Sequence, residues 1–157
     1  MKISNEGLNL IRKWEGCKLV AYRCSAGVWT IGYGHTRGVR KGDRINQATA
    51  EAYLLKDVAA AESAVRRCID VPLSQCQFDA LVSWTFNLGE GNLSTSTLRK
   101  VINADPNDVD AVKAQFTRWV YVSKRVLAEN GQYVTKKVVS NGLMSRRMDE
   151  ARMYAGQ

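Results

Sequence analysis

Three residues near the start of the chain, Glu15, Cys24 and Thr30, are of types and at spacings that can do chemistry. They lie in the segment WEGCKLVAYRCSAGVWTIGYGHT, with eight residues between the first two and five between the last two. The pattern places a carboxylate, a thiol and a hydroxyl across a helix end and a tight hairpin. Cleavage of a glycosidic bond needs such a set: an acid for the leaving oxygen and a second group on the opposite face of the sugar. A helix C-terminus carries partial negative charge, which disfavours an ionised carboxylate and suits Glu15 to the acid role. Cys24 as thiolate can orient or deprotonate a water, or attack carbon directly. Thr30 can hold that water. Each residue also has a plainer reading: a surface Glu ending a helix, a small packed hydrophobe, and a β-branched strand former. His35, the only histidine, reads as a hydrogen-bonded structural residue or as a base.

The elements that must position these groups follow from local signals. Ser4 caps a first helix ending near residue 15, with Leu8, Ile11 and Trp14 on its buried face and Gly16 just past its end. LVAY and VWTIGYG are β-prone around a Ser25-Ala26-Gly27 turn, which predicts a sheet of two or three strands. Asn46 or Thr49 opens a long helix to Cys68, striped by Leu54, Val58, Ala61 and Val65. Ser74 to Gln77 is a capping box for the next helix, which Gly89 or Gly91 stops. A shorter helix follows Ser94 to Ser96. Asp105-Pro106 predicts another, with Val109, Val112, Phe116, Trp119 and Val120 facing inward. Residues 121–142 read as an exposed hairpin or long loop around Asn130-Gly131. A last helix is predicted from about Met144. The class is α+β: a small sheet lobe (about 16–48) joined by a long helix to a larger helical lobe (about 60–157 plus the first helix), with a cleft between.

Bulk properties limit the remaining options. The chain has 157 residues, one domain by size, and a formal net charge of +8. A basic balance attracts polyanions, but no zinc-finger spacing, ribonucleoprotein signature or Lys/Arg run accompanies it, so nucleic acid is not expected as a partner. No apolar run approaches a membrane span of roughly 18 residues, and MKISNEGLNLIRKWEG lacks a signal-peptide core. The four cysteines, at positions 17, 24, 68 and 76, lack metal-ligand spacing, and neither metal nor cofactor is expected.

The spacing Glu-x8-Cys-x5-Thr followed by IGYGHT resembles the phage-type lysozymes, the endolysins of glycoside hydrolase family 24. The resemblance continues through PLSQCQFDALVSWTFNLGEGNLSTSTLRKVIN and GLMSRRMDEARMY, and so spans nearly the whole chain. It implies a single lysozyme-like catalytic domain over 1–157, cleaving the β-1,4 bond between N-acetylmuramic acid and N-acetylglucosamine in peptidoglycan. It implies Glu15 as general acid, Cys24 at the position usually held by Asp, Thr30 as helper of the water, and Arg146 or Arg147 reaching toward Glu15. Asn87 is a candidate substrate contact or a helix-terminal amide. The signal-anchor members of the family resemble this chain in carrying Cys at positions 17 and 24, which implies a regulatory Cys17–Cys24 disulfide; a Cys68–Cys76 bridge is a weaker suggestion. The segment from about 121 to 140 is longer than the family's usual link. The expectation is a monomeric endolysin made in the host cytoplasm, reaching the wall through a membrane hole and causing lysis. The rival readings are a lytic transglycosylase and a non-catalytic wall-binding module.

Overall fold

In the computed structural model, which describes residues 1–157, Ser4 opens α1 (Asn5–Glu15) by accepting the Gly7 N–H. Asp79, on a later helix, takes both the Ser4 N–H and its hydroxyl, so this cap is also a tertiary anchor. Leu8, Leu10 and Ile11 are buried, while Trp14 is half-buried. Gly16 ends α1 with φ of 63° as predicted, but its ψ of 167° is extended because the chain runs straight on into β1. Strands β1 (Lys18–Arg23) and β2 (Trp29–Gly32) pair antiparallel, with Tyr22 opposite Thr30. No third strand joins them; a single bridge between Val20 and Arg44 stands in its place.

Asn46 caps α2 (Gln47–Cys68), whose 22 residues span about 33 Å at the usual helical rise. Its predicted stripe of Leu54, Val58, Ala61 and Val65 is buried. Both halves of the Ser74–Gln77 capping box form at the start of α3 (Gln75–Leu88). Residues Gln77 to Thr85 are buried without interruption, so α3 is sealed on all sides and forms the axis of the helical lobe. Of its buried polar members, Gln77, Asp79 and Ser83 have partners, whereas Thr85 Oγ1 has none.

Beyond Gly89 the chain makes a short helix that the sequence reading did not anticipate, α4 (Glu90–Thr95), and then α5 (Thr97–Ala104) capped by Ser96. The helix expected at Asp105-Pro106 begins later, as α6 (Val109–Phe116), because Asp108 supplies the cap. Pro106 stays outside, its carbonyl accepting from Gln77 Nε2 at 2.8 Å and the Tyr154 hydroxyl at 2.9 Å. Trp119 therefore lies past α6, edge-on to Trp84 at 5.1 Å between ring centroids. Residues 121–139 form the hairpin, β3 (Tyr121–Leu127) and β4 (Tyr133–Val139), in continuous antiparallel register. Its turn closes through Gly131 N–H to Ala128 O and Ala128 N–H to Gln132 O. The last helix, α7 (Asn141–Tyr154), starts ahead of the predicted Met144 because the Ser140 hydroxyl accepts the Leu143 N–H. The class is α+β as expected, with seven helices and two two-stranded antiparallel sheets. No helix is long and apolar enough to cross a membrane.

Candidate active site

Glu15 is the last residue of α1, and Gly16 turns the chain away so that the carboxylate stays at the junction of the two lobes. Its Oε1 accepts from Arg146 Nη1 of α7 at 2.7 Å. Its Oε2 has no hydrogen-bond partner in the protein and faces Gly34, where a Cβ would stand 3.6 Å away. Gly34 sits at φ of 94° in a tight turn closed by paired bonds between Ile31 and His35, a conformation that only glycine adopts freely. The carboxylate opens on a cleft of about 390 Å³, walled by the 34–37 loop, by Asp57 and Ala61 of α2, and by Thr85 and Asn87 of α3.

Arg146 is itself held. Its Nε donates to Glu150 Oε1 at 3.1 Å. Glu150 is fully buried and also accepts from the Ser83 hydroxyl at 2.8 Å and from Arg147 Nη2 at 3.0 Å. Arg147, equally buried, donates from the same nitrogen to Asn87 Oδ1 at 3.0 Å. The result is a chain of alternating charge, Glu15–Arg146–Glu150–Arg147, ending on an amide at the cleft wall. Burial pushes the Arg147 guanidinium down to about 10, which leaves it charged at neutral pH. Burial also drives the Glu150 carboxyl up, against the pull of both guanidiniums. The two arginines thus divide the roles that the sequence reading left joined. Arg146 meets Glu15, and Arg147 meets Asn87. Glu150 and Ser83 were missed, although the Arg146-x3-Glu150 spacing is the signal of a same-face helical ion pair.

Cys24 sits at the β1 end of the 24–28 turn, where its own N–H donates to Val28 O at 3.0 Å. The Val28 and Ala26 N–H groups hold its thiol below the ordinary cysteine value, with a smaller contribution from the Thr30 hydroxyl. Thr30 is buried, and its Oγ1 donates to Val28 O at 3.1 Å. Strand alternation puts Tyr22 on the same face as Cys24, directly across from Thr30. The Tyr22 phenol is raised by burial and then by the charges of Cys24 and Glu15. Tyr22 was not among the sequence candidates. Cys24 and Thr30 thus share the β1–β2 turn, and of the three candidates Glu15 alone lines the cleft.

His35 has both ring nitrogens engaged at the cleft edge. Its Nδ1 meets Asp57 Oδ2 at 2.7 Å, its Nε2 meets Arg37 O at 3.0 Å, and its ring stacks on Tyr53. It ties the cleft loop to α2. All four cysteines are free thiols. Cys17 and Cys24 flank the two ends of β1, whose register against β2 shifts between Lys18 and Tyr22. The implied Cys17–Cys24 bridge, which needs Cα atoms within about 7 Å, is not formed here.

The phage lysozyme family model matches residues 12–150. An endolysin of Acyrthosiphon pisum secondary endosymbiont phage 1 is 42% identical over 154 residues, 98% of each chain. Among solved structures, the endolysin from Escherichia coli O157:H7 phage FAHEc1 is 40% identical with a TM-score of 0.84, over 98% of this chain and 93% of that one. The muramidase domain of SpmX from Asticaccaulis excentricus is 33% identical with a TM-score of 0.84, over 98% and 97%. With sequence and fold agreeing over nearly the full length, the chain belongs to the phage lysozyme family.

Proposed function

We propose that this chain is a phage endolysin and a muramidase, hydrolysing the β-1,4 bond between N-acetylmuramic acid and N-acetylglucosamine in bacterial peptidoglycan. Residues 1–157 act as one catalytic domain and as a monomer. The protein is made in the host cytoplasm and meets the wall through a membrane hole. The observation that carries the reading is the Glu15 carboxylate, with one oxygen fixed by Arg146 and the other open to the cleft beside Gly34.

Glu15 Oε2 carries the proton to the glycosidic oxygen as the bond to the sugar carbon breaks. A water then bonds to that carbon from the opposite face. Its proton passes to the Cys24 thiolate, which the turn N–H groups favour. Thr30 spends its hydroxyl proton on Val28 O, so its free lone pairs accept the water's other hydrogen. This course inverts the anomeric centre; direct attack by Cys24 would retain it. With Asn87 Oδ1 taken by Arg147, its Nδ2 is left to donate into the cleft, which suits an acetamido carbonyl. The endolysin and muramidase names of the relatives support the substrate class.

The test is digestion of purified peptidoglycan with mass spectrometry of the new glycan ends. Reducing N-acetylmuramic acid ends are expected, together with a rate loss of at least about 100-fold in Glu15→Gln at unchanged fold. Anhydro ends would replace this reading with a lytic transglycosylase. No new ends would leave a wall-binding module.

A further inference from the structure

The β3–β4 hairpin takes no part in the cleft, and its composition is one-sided. Residues 121–139 carry four basic side chains, Lys124, Arg125, Lys136 and Lys137, against one acid, Glu129. No residue of either strand is fully buried. The two most exposed large apolar side chains of the molecule are Leu127 at 63% and Tyr133 at 61%. They are cross-strand partners on the last rung before the turn. The Arg125 guanidinium lies over the Tyr133 ring at 4.6 Å. One rung further back Lys124 faces Lys136, and Lys137 pairs with Ser123 behind them. Like charges placed directly opposite weaken a ladder, and a two-stranded ribbon is marginal by itself. An anion held between these cations would relieve that repulsion.

We propose that the tip of this hairpin docks on an anionic phospholipid surface. Leu127 and Tyr133 enter the interface, and the four basic side chains meet the lipid phosphates behind them. The order along the ribbon fits the depth of a bilayer interface. At about 3.4 Å per residue, Arg125 lies about 7 Å behind Leu127, and Lys124 lies about 10 Å behind it. Interfacial apolar groups enter by about 5–10 Å, and basic groups gain from anionic headgroups just outside. Recognition of a saccharide chain uses a concave groove, and the tip residues Leu127 and Tyr133 line neither the catalytic cleft nor the cavity at the base of the hairpin beside Tyr121, Ser123 and Lys137. Glu129 sits in the turn ahead of the wedge and opposes the attraction, so removing its charge strengthens docking.

The experiment is co-sedimentation of the full chain with vesicles of phosphatidylglycerol and phosphatidylcholine, and with vesicles of phosphatidylcholine alone. Binding to the anionic vesicles only is expected. Lys136→Ala with Lys137→Ala should weaken it roughly 25-fold, at about fivefold per cation. Leu127→Ser with Tyr133→Ser should weaken it at least about tenfold, and Glu129→Lys should tighten it. Hydrolysis of isolated peptidoglycan should stay at the wild-type value in every variant, and circular dichroism should show each of them folded. Equal binding to neutral vesicles, no binding to either, or unchanged binding by the lysine variant would overturn the proposal. So would loss of peptidoglycan hydrolysis with vesicle binding intact, which would assign the face to the wall polymer.

Discussion

Replacing Glu150 with alanine should be among the most damaging single changes in this protein. The residue is fully buried, and it accepts from Ser83, Arg146 and Arg147 at 2.8, 3.1 and 3.0 Å. Without it, Arg146 keeps Glu15, but Arg147 is left with only the Asn87 amide as a polar side-chain partner in a site closed to water. Breaking a buried pair by removing one partner costs about 3–5 kcal/mol, because the other charge stays buried and uncompensated. That is a large part of the roughly 5–15 kcal/mol that holds a domain together. Urea unfolding followed by circular dichroism measures it, and the thermal midpoint should fall by roughly 10 °C or more. Glu150→Gln keeps one acceptor for Ser83 and the guanidiniums but loses the charge, so its cost should lie between wild type and alanine. Adding Arg147→Met to the alanine variant should recover part of the loss, since it removes the stranded charge. An alanine variant within about 1 kcal/mol of wild type, or a double variant worse than the sum of the singles, would refute the view of this cluster as a charge-balanced unit.

Three further outcomes follow from other contacts. Cys24 should be the first thiol alkylated by iodoacetamide, ahead of Cys17 and Cys68, whose thiols burial raises, and lysis should decline in step. Cys24→Asp should stay active and ignore the reagent; continued inactivation of that variant would show that another thiol matters. Arg12 holds the Glu51 carboxyl below its ordinary 4.5, so this contribution to stability is complete above that value and is lost as pH falls through the lower folded value. Thermal midpoints of Glu51→Gln should therefore fall less steeply than wild type below pH 4.5, and parallel curves would remove the assignment. Gly7→Ala would bring a Cβ to 2.6 Å from Ile3 Cγ1 and 2.8 Å from Asp79 Cβ. It should destabilise by about 1–3 kcal/mol despite the helix propensity gained, and a more stable variant in urea titration would contradict that packing.

The parts of the fold that were legible in the sequence are those set by near neighbours. Ser4 and Ser74 cap the helices they were expected to cap, and of the two candidates Asn46 and Thr49 it is Asn46 that caps α2; each bond reaches only three residues along the chain. The hairpin at 121–139 was legible from its β-prone flanks and Asn-Gly turn. Pro106 misled because its value as a helix starter is a local preference, while its carbonyl is engaged by Gln77 and Tyr154 from other elements. Helix α4 has no side-chain cap to announce it. The pairing inferred for Cys17 and Cys24 rested on family resemblance, and here both are free thiols at the two ends of β1.

The sequence by itself determined which groups are available for chemistry and which short segments carry them: an acid at a helix end, a thiol and a hydroxyl about a hairpin turn, and two arginines on a late helix. Only the tertiary structure decided which arginine meets the acid, which meets the cleft amide, and that a buried carboxylate joins them. Glu15 and Arg146 are 131 positions apart in the chain. Their contact exists because apolar burial packs α1 and α7 against the sealed helix α3. Burial is non-directional and summed over the whole core, so no local window contains the information that places them together.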